Sequence, residues 1–99
     1  MNIQALQAWV ADDWKKRSKK QPTVEQQLLF VIEEFGEVAE AIRKQDGRKD
    51  RVEKKVDLGS EMADLIISIT TLANHFNIDL TTEIEKFQKR ITERHQAGH

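Results

Sequence analysis

Two pairs of acidic residues, Glu34 with Glu37 and Glu61 with Asp64, stand at i,i+3 inside stretches whose apolar residues repeat with the period of an α-helix. At that spacing two side chains lie about 60° apart around a helix and less than one turn apart along it, so each pair can aim its oxygens at one point. Two such helices side by side make a four-carboxylate cage. Uncompensated anions in a partly desolvated site repel and raise one another's pKa values, so the pattern calls for hard divalent cations, magnesium first.

One proline and four glycines leave little punctuation, and the chain reads as four helices joined by short turns. Ile3, Leu6, Val10 and Trp14 mark the first, which runs into the basic stretch from Lys15 to Lys20 and stops before Pro22. Thr23 and Gln26 have the form of a capping box, opening a second helix with apolar residues Leu28, Val31, Ile32, Phe35, Val38, Ala39 and Ile42. Asp46-Gly47 is expected to end it, and the charged run from Arg48 to Lys55 is expected to be a loop or a frayed helical start. Leu58, Met62, Leu65, Ile69, Leu72 and Phe76 define a third helix closed by Asn77. The fourth, capped by Asp79 or Thr81, carries Leu80, Ile84, Phe87 and Ile91.

At 99 residues the chain is expected to be one domain, and it buries only roughly 60 to 65% of its unfolded surface, which points to oligomerisation. A third of its residues are charged but the net charge is −1, so no overall nucleic-acid signature exists. It has no cysteine, which excludes disulfides, thiolate metal sites and a cysteine nucleophile and fits a reducing cytoplasm. No run is long enough to span a membrane.

The acids must be weighed against ordinary surface charge. On the second helix the apolar arc is centred on Phe35; Glu33, Glu37 and Glu40 lie opposite, while Glu34 sits about 100° from the centre, at the border. Glu61 falls within the apolar arc of the third helix, between Leu58 and Leu65. A carboxylate there needs a cation, a metal or a proton. Asp57, Glu61, Asp64, Ser68, Thr71 and His75 continue as a polar stripe beside the core, for which a buried salt bridge is the plainer explanation. Ile66 and Ile67 make the middle of this helix apolar nearly all round, which places it centrally and near a subunit interface.

Glu33-Glu34-Phe35-Gly36-Glu37, followed after a gap by Glu61-Met62-Ala63-Asp64, resembles the EExxE and ExxD signature of MazG-like nucleoside triphosphate pyrophosphohydrolases, of the all-α NTP pyrophosphatase superfamily. Lys86-Phe87-Gln88-Lys89-Arg90 is similar to a KFxxR element of that family's last helix, and the likeness spans about residues 24–90. It implies a four-helix all-α protomer assembling into helical-bundle oligomers, dimers or dimers of dimers joined through the second and third helices. It implies hydrolysis of (deoxy)nucleoside triphosphates to monophosphate and pyrophosphate, in nucleotide-pool house-cleaning. Glu34, Glu37, Glu61 and Asp64 would bind Mg²⁺, more than one ion per site and with Mn²⁺ as a substitute, and Glu33 would act beside them in catalysis. Lys86 and Arg90 would meet substrate phosphates. The single motif set matches compact stand-alone members, and Ile84 stands where some relatives carry a polar residue.

Trp9, Trp14 and Phe30 offer a stacking surface for a base, although aromatics on amphipathic helices are more often core. A ferritin-like di-metal bundle is excluded, because no Glu-x-x-His pair exists. A non-catalytic helical interaction or regulatory module is the alternative reading, and the position of Glu61 argues against it. Specific nucleic-acid binding, resting only on Lys15 to Lys20, ranks last.

Overall fold

The computed structural model describes residues 1–17, 20–45 and 57–98, and four helices follow one another in it: α1 (Ile3–Lys16), α2 (Val24–Gln45), α3 (Leu58–His75) and α4 (Leu80–Gln96). No strand occurs among the described residues. Side-chain chemistry sets the boundaries. Asn2 Oδ1 accepts from the Ala5 N–H at 2.7 Å to cap α1. Thr23 and Gln26 form the reciprocal box at the start of α2, with the Thr23 N–H donating to Gln26 Oε1 at 2.9 Å and the Gln26 N–H to Thr23 Oγ1 at 3.1 Å. Asp57 caps α3, and Asp79 rather than Thr81 caps α4. The end of α3 is a Schellman motif built on Asn77 at φ 54°: the Ile78 N–H reaches the Ala73 carbonyl and the Asn77 N–H that of Asn74. The stop expected at Asp46-Gly47 and the charged segment Arg48 to Lys55 lie outside the described residues.

Gln27, near the start of α2, meets Ser68, and Glu34, two turns later, meets Glu61 and Asp64, so α2 and α3 run antiparallel. On α2 the stripe turned to α3 is Gln27, Val31, Glu34, Val38 and Ala41, at steps of four and three; Gln27, Val38 and Ala41 are buried. Ser68 is the buried α3 residue that meets this stripe, and the other hidden positions of α3, Thr70, Thr71 and Ala73, are likewise small or polar. Thr70 and Thr71 donate to the carbonyls of Ile66 and Ile67 in their own helix, which satisfies those buried hydroxyls.

This packing corrects the reading of the apolar arc on α2. Phe35, its expected centre, is 66% exposed in the protomer, as are Leu28, Ile32 and Ile42 to lesser degrees. Glu34, read as a border position, is the middle of the stripe that faces α3. Met62, Ile66, Ile69 and Phe76 are likewise exposed on α3. The chain therefore joins its two longest helices through a narrower, more polar seam than the apolar arcs suggest, and leaves the larger side chains Phe35, Ile32, Ile66 and Phe76 of those arcs exposed.

Gln7 ties the remaining helices to α3. Its Nε2 donates to Asn74 Oδ1 at 3.1 Å and to the Ile78 carbonyl at 2.7 Å, and its Oε1 accepts from the Leu80 N–H, an otherwise orphaned donor in the first turn of α4, at 2.9 Å. Asn74 Nδ2 returns a bond to the Gln7 carbonyl at 3.1 Å. One side chain thus fixes α1, the end of α3 and the start of α4. Replacing it in Gln7→Leu is expected to lower unfolding stability by about 1–3 kcal/mol, measured by urea denaturation, because Leu80 N–H and Asn74 lose partners inside a part-buried junction.

Candidate metal centre and adjoining cleft

Three helix turns deliver the acids. Glu34 comes from the inward stripe of α2, Glu61 from the first turn of α3 and Asp64 from the turn after it. One oxygen from each lies within 4.8 Å of the other two. Glu34 Oε2 and Glu61 Oε2 are buried and have no hydrogen-bond partner. Glu37 is exposed one turn beyond Glu34, and its carboxyl is close enough to push the pKa values of both Glu34 and Glu61 upward. Glu33 is also exposed and acts on Glu34 only through its charge.

No cation answers this charge among the described residues. The ion pairs there are local ones, Asp12–Lys16, Asp13–Arg17, Glu40 with Arg43 and Lys44, and Glu83–Lys86. The buried salt bridge that would make the stripe on α3 merely structural does not form among them. Glu34 is held above the ordinary carboxyl pKa first by burial and then by the charges of Glu37, Asp64 and Glu33. Glu61 is raised first by its hydrogen bond with Glu37, then by burial and by Glu37, Asp64 and Glu34. Oxygen-only donors, mutual repulsion and two orphaned buried oxygens suit a hard divalent cation.

Beside the acids opens a cleft of about 470 Å³, with Glu34 and Asp64 at one end and Trp9, Trp14 and Phe30 in its walls. Arg17 lies over the Trp14 ring, 4.2 Å from guanidinium carbon to centroid, and Asp13 holds it through Nη2 at 2.8 Å and Nε at 3.0 Å. Guanidinium and indole thus brace each other within the lining of the cleft. Gln27, Ser68 and Thr71 form part of the polar lining.

The structure therefore brings Glu34, Glu61 and Asp64 together, leaves Glu37 exposed at their side, and sets Trp14 and Phe30 in the adjoining cleft. It does not bring Lys86 and Arg90 there within one protomer: α4 packs on α1, Lys86 pairs with Glu83 at 3.2 Å, Arg90 lies over Phe87, and neither lines the cleft. Asp13, Arg17 and Gln27 were not singled out by sequence reasoning. Helical spacing offers a signal for Gln27, which sits seven residues before Glu34 on the same face.

Residues 22–99 match the family model of the MazG nucleotide pyrophosphohydrolase domain. The chain belongs to this family. It is also similar to the uncharacterized protein YvdC of Bacillus subtilis (strain 168), with 28% identity over 102 residues that cover 95% of this chain and 96% of the relative. No solved structure gives a significant match. The clustered acids Glu34, Glu61 and Asp64 of this MazG domain lie inside the matched segment, whereas Trp9, Asp13 and Trp14 of α1 and its C-cap residue Arg17 lie ahead of it. No helix among the described residues is long and apolar enough to cross a membrane.

Folded-state pKa values raised above the ordinary 4.5 mean that the folded chain binds more protons than the unfolded one above that pH. Stability consequently falls as pH rises through the raised values, and the full penalty applies above them. In metal-free protein, Glu61→Gln is expected to raise the melting temperature at pH 7.5, by an amount that shrinks as pH falls towards 4.5. The same variant should lose much of the stabilisation that millimolar Mg²⁺ gives the wild type. Differential scanning fluorimetry reads both, and a variant less stable than wild type in the absence of metal at pH 7.5 would contradict the account.

Proposed function

We propose that this protein hydrolyses ribo- or deoxyribonucleoside triphosphates between the α and β phosphates, with Mg²⁺, to give monophosphate and pyrophosphate, cleansing or balancing the nucleotide pool of the cytoplasm. The observation that carries the reading is the cluster of Glu34, Glu61 and Asp64, with its unpartnered buried oxygens, at the end of an aromatic cleft in a MazG domain. Glu34, Glu37, Glu61 and Asp64 hold the metal. Magnesium, or manganese in its place, supplies positive charge to the nonbridging phosphate oxygens, the main demand of phosphoryl-type hydrolysis, and two or more ions suit four carboxylates and a triphosphate.

Around that centre the chain's own groups position the reactants. Glu33, exposed beside Glu34, orients the attacking water or holds the outer coordination shell. Trp14 and Phe30 receive the nucleoside, and the Asp13–Arg17 pair keeps the Trp14 ring in place. Lys86 and Arg90 can serve as phosphate contacts only from a neighbouring copy.

Such a neighbour is part of the proposal. Leu28, Ile32, Phe35, Ala39 and Ile42 on α2 follow one another at steps of four and three, as do Met62, Ile66, Ile69, Ala73 and Phe76 on α3. Apart from Ala73 these residues are exposed in the protomer, and they form the seam of a helical bundle awaiting a second copy. The radius of gyration, 17.1 Å, exceeds the roughly 13 Å of a self-contained domain of this length. A homodimer, or a dimer of dimers, joined through α2 and α3 covers both seams.

Two experiments test these claims. Wild-type protein with Mg²⁺ is expected to release pyrophosphate and monophosphate from at least one member of a ribo- and deoxynucleotide panel, and Glu61→Ala to lose on the order of 10²-fold or more of that rate. No release from any nucleotide by folded, metal-loaded protein would leave the non-catalytic interaction module as the better reading. In light scattering after gel filtration, wild type is expected at a multiple of 11.5 kDa, and Phe35→Glu combined with Ile66→Glu at the protomer mass. A wild type that runs as a single protomer would refute the assembly.

A further inference from the structure

Gln27 is a polar side chain set within the α2–α3 seam, 3% exposed, and it also lines the cleft. Its Nε2 donates to the Ser68 carbonyl at 2.9 Å and to Ser68 Oγ at 3.1 Å. A carbonyl oxygen only accepts, so the amide atom facing it has to be the nitrogen, and the flipped orientation is excluded. Both amide hydrogens are thereby directed at Ser68. The amide oxygen is left over, and no described residue donates to it. That oxygen is not one of the fully buried atoms lacking a partner, so it keeps access to the cleft that Gln27 lines, where a ligand's donor can take the place of water.

Its place in the cleft says which part of a ligand meets it. Gln27 precedes Glu34 by seven residues, about 10 Å along α2, and Phe30 lies between them on the same side of the cleft. With phosphates at the acids, a nucleoside extends past Phe30 and Trp14 and brings its base edge to Gln27. The Ser68 hydroxyl accepts from Gln27 and keeps its own hydrogen to donate, so an acceptor and a donor stand side by side. Their complement is an N–H beside an acceptor, as on the hydrogen-bonding edge of a nucleobase.

Resting on the hydrolase reading, we propose that Gln27 is a specificity-determining residue whose amide oxygen accepts a hydrogen bond from an N–H on the edge of the base bound in the cleft. Its nitrogen fixes the amide to α3, and its oxygen reads the ligand.

The test compares nucleotides with counterparts lacking one donor: adenosine against purine riboside, cytidine against 2-pyrimidinone riboside and uridine against N3-methyluridine, each as the triphosphate. Wild type is expected to favour the donor-bearing member of at least one pair by about tenfold or more in kcat/KM, chiefly through KM. Gln27→Met is expected to bring that ratio close to one while sparing the donor-lacking member. Equal treatment of every pair by wild type overturns the proposal without any variant, as does a Gln27→Met that slows both members alike or keeps the discrimination. Titration of tryptophan emission with the matching monophosphates reads the same ratio as Kd. Donor-dependent binding with no hydrolysis would sink the proposed reaction and sustain the role of Gln27; donor-independent binding would do the reverse, and no binding at all would sink both.

Discussion

Carboxylates occupy the seam between α2 and α3 where an ordinary antiparallel helix pair places leucine, and much of the molecule is arranged around that substitution. Glu34 sits mid-stripe on one helix and Glu61 faces it from the other, each with a buried oxygen lacking a partner. Such a contact opposes folding unless something offsets it. The Gln27–Ser68 bonds clamp the seam at one end, Val38 and Ala41 close it at the other, and Glu61 and the capping Asp57 lie at the N-terminus of α3, where the helix dipole favours negative charge. The residual repulsion remains as affinity for cations.

A seam built for acids cannot also be the main hydrophobic core. Apolar burial in the protomer is slight: Val10, Val38, Ala41 and Ala73 are its buried hydrophobic residues among those described, and α4 buries none. The larger side chains, Phe35, Ile32, Ile66 and Phe76 among them, sit on the outer faces of the same two helices. Each helix thus divides its circumference between a polar inward stripe that organises chemistry and an apolar outward one whose burial falls to the proposed assembly. Gln7 allows so thin a core by replacing apolar contact with four directional bonds at the α1–α3–α4 junction.

Helix number, extents and caps were legible because they depend on neighbours in sequence: the Thr23–Gln26 box, Asp79 and Asn77 act within a few residues of themselves. The acid pairs were legible for the same reason, since i,i+3 spacing is local. The centre of α2 was misjudged because periodicity measures where apolar residues concentrate, and on this helix two surfaces compete for that measure; Phe35 wins the count yet faces outward. Trp14 and Phe30 line the cleft instead of filling a core, the less ordinary of the two readings that aromatics on amphipathic helices allow. Arg17 and Gln27 were not legible at all. What each does depends on a partner brought by tertiary packing, Trp14 within a cleft for one and Ser68 on another helix for the other. Lys86 and Arg90 came from resemblance alone, and packing within the protomer keeps them from the acids.

The charge balance around the cleft orders the events of binding. Asp13 pairs with Arg17 in the lining of the cleft, so these two charges offset each other, while Glu34 and Asp64, clustered with Glu61, leave the lining with unbalanced negative charge. A free triphosphate, itself strongly anionic, meets repulsion there, and the cleft alone can favour only its uncharged nucleoside part. If the proposed reaction holds, cations reach the acids before or with the phosphates. In the proposed reading the helix pair inside the family-matched segment governs that step, while α1, outside it, would supply part of the wall that meets the nucleoside. Reaction and selectivity, on that same reading, meet on α2, which carries Glu34 together with Phe30 and Gln27, while a change in α1 would reshape the opposite wall of the cleft without touching a single carboxylate.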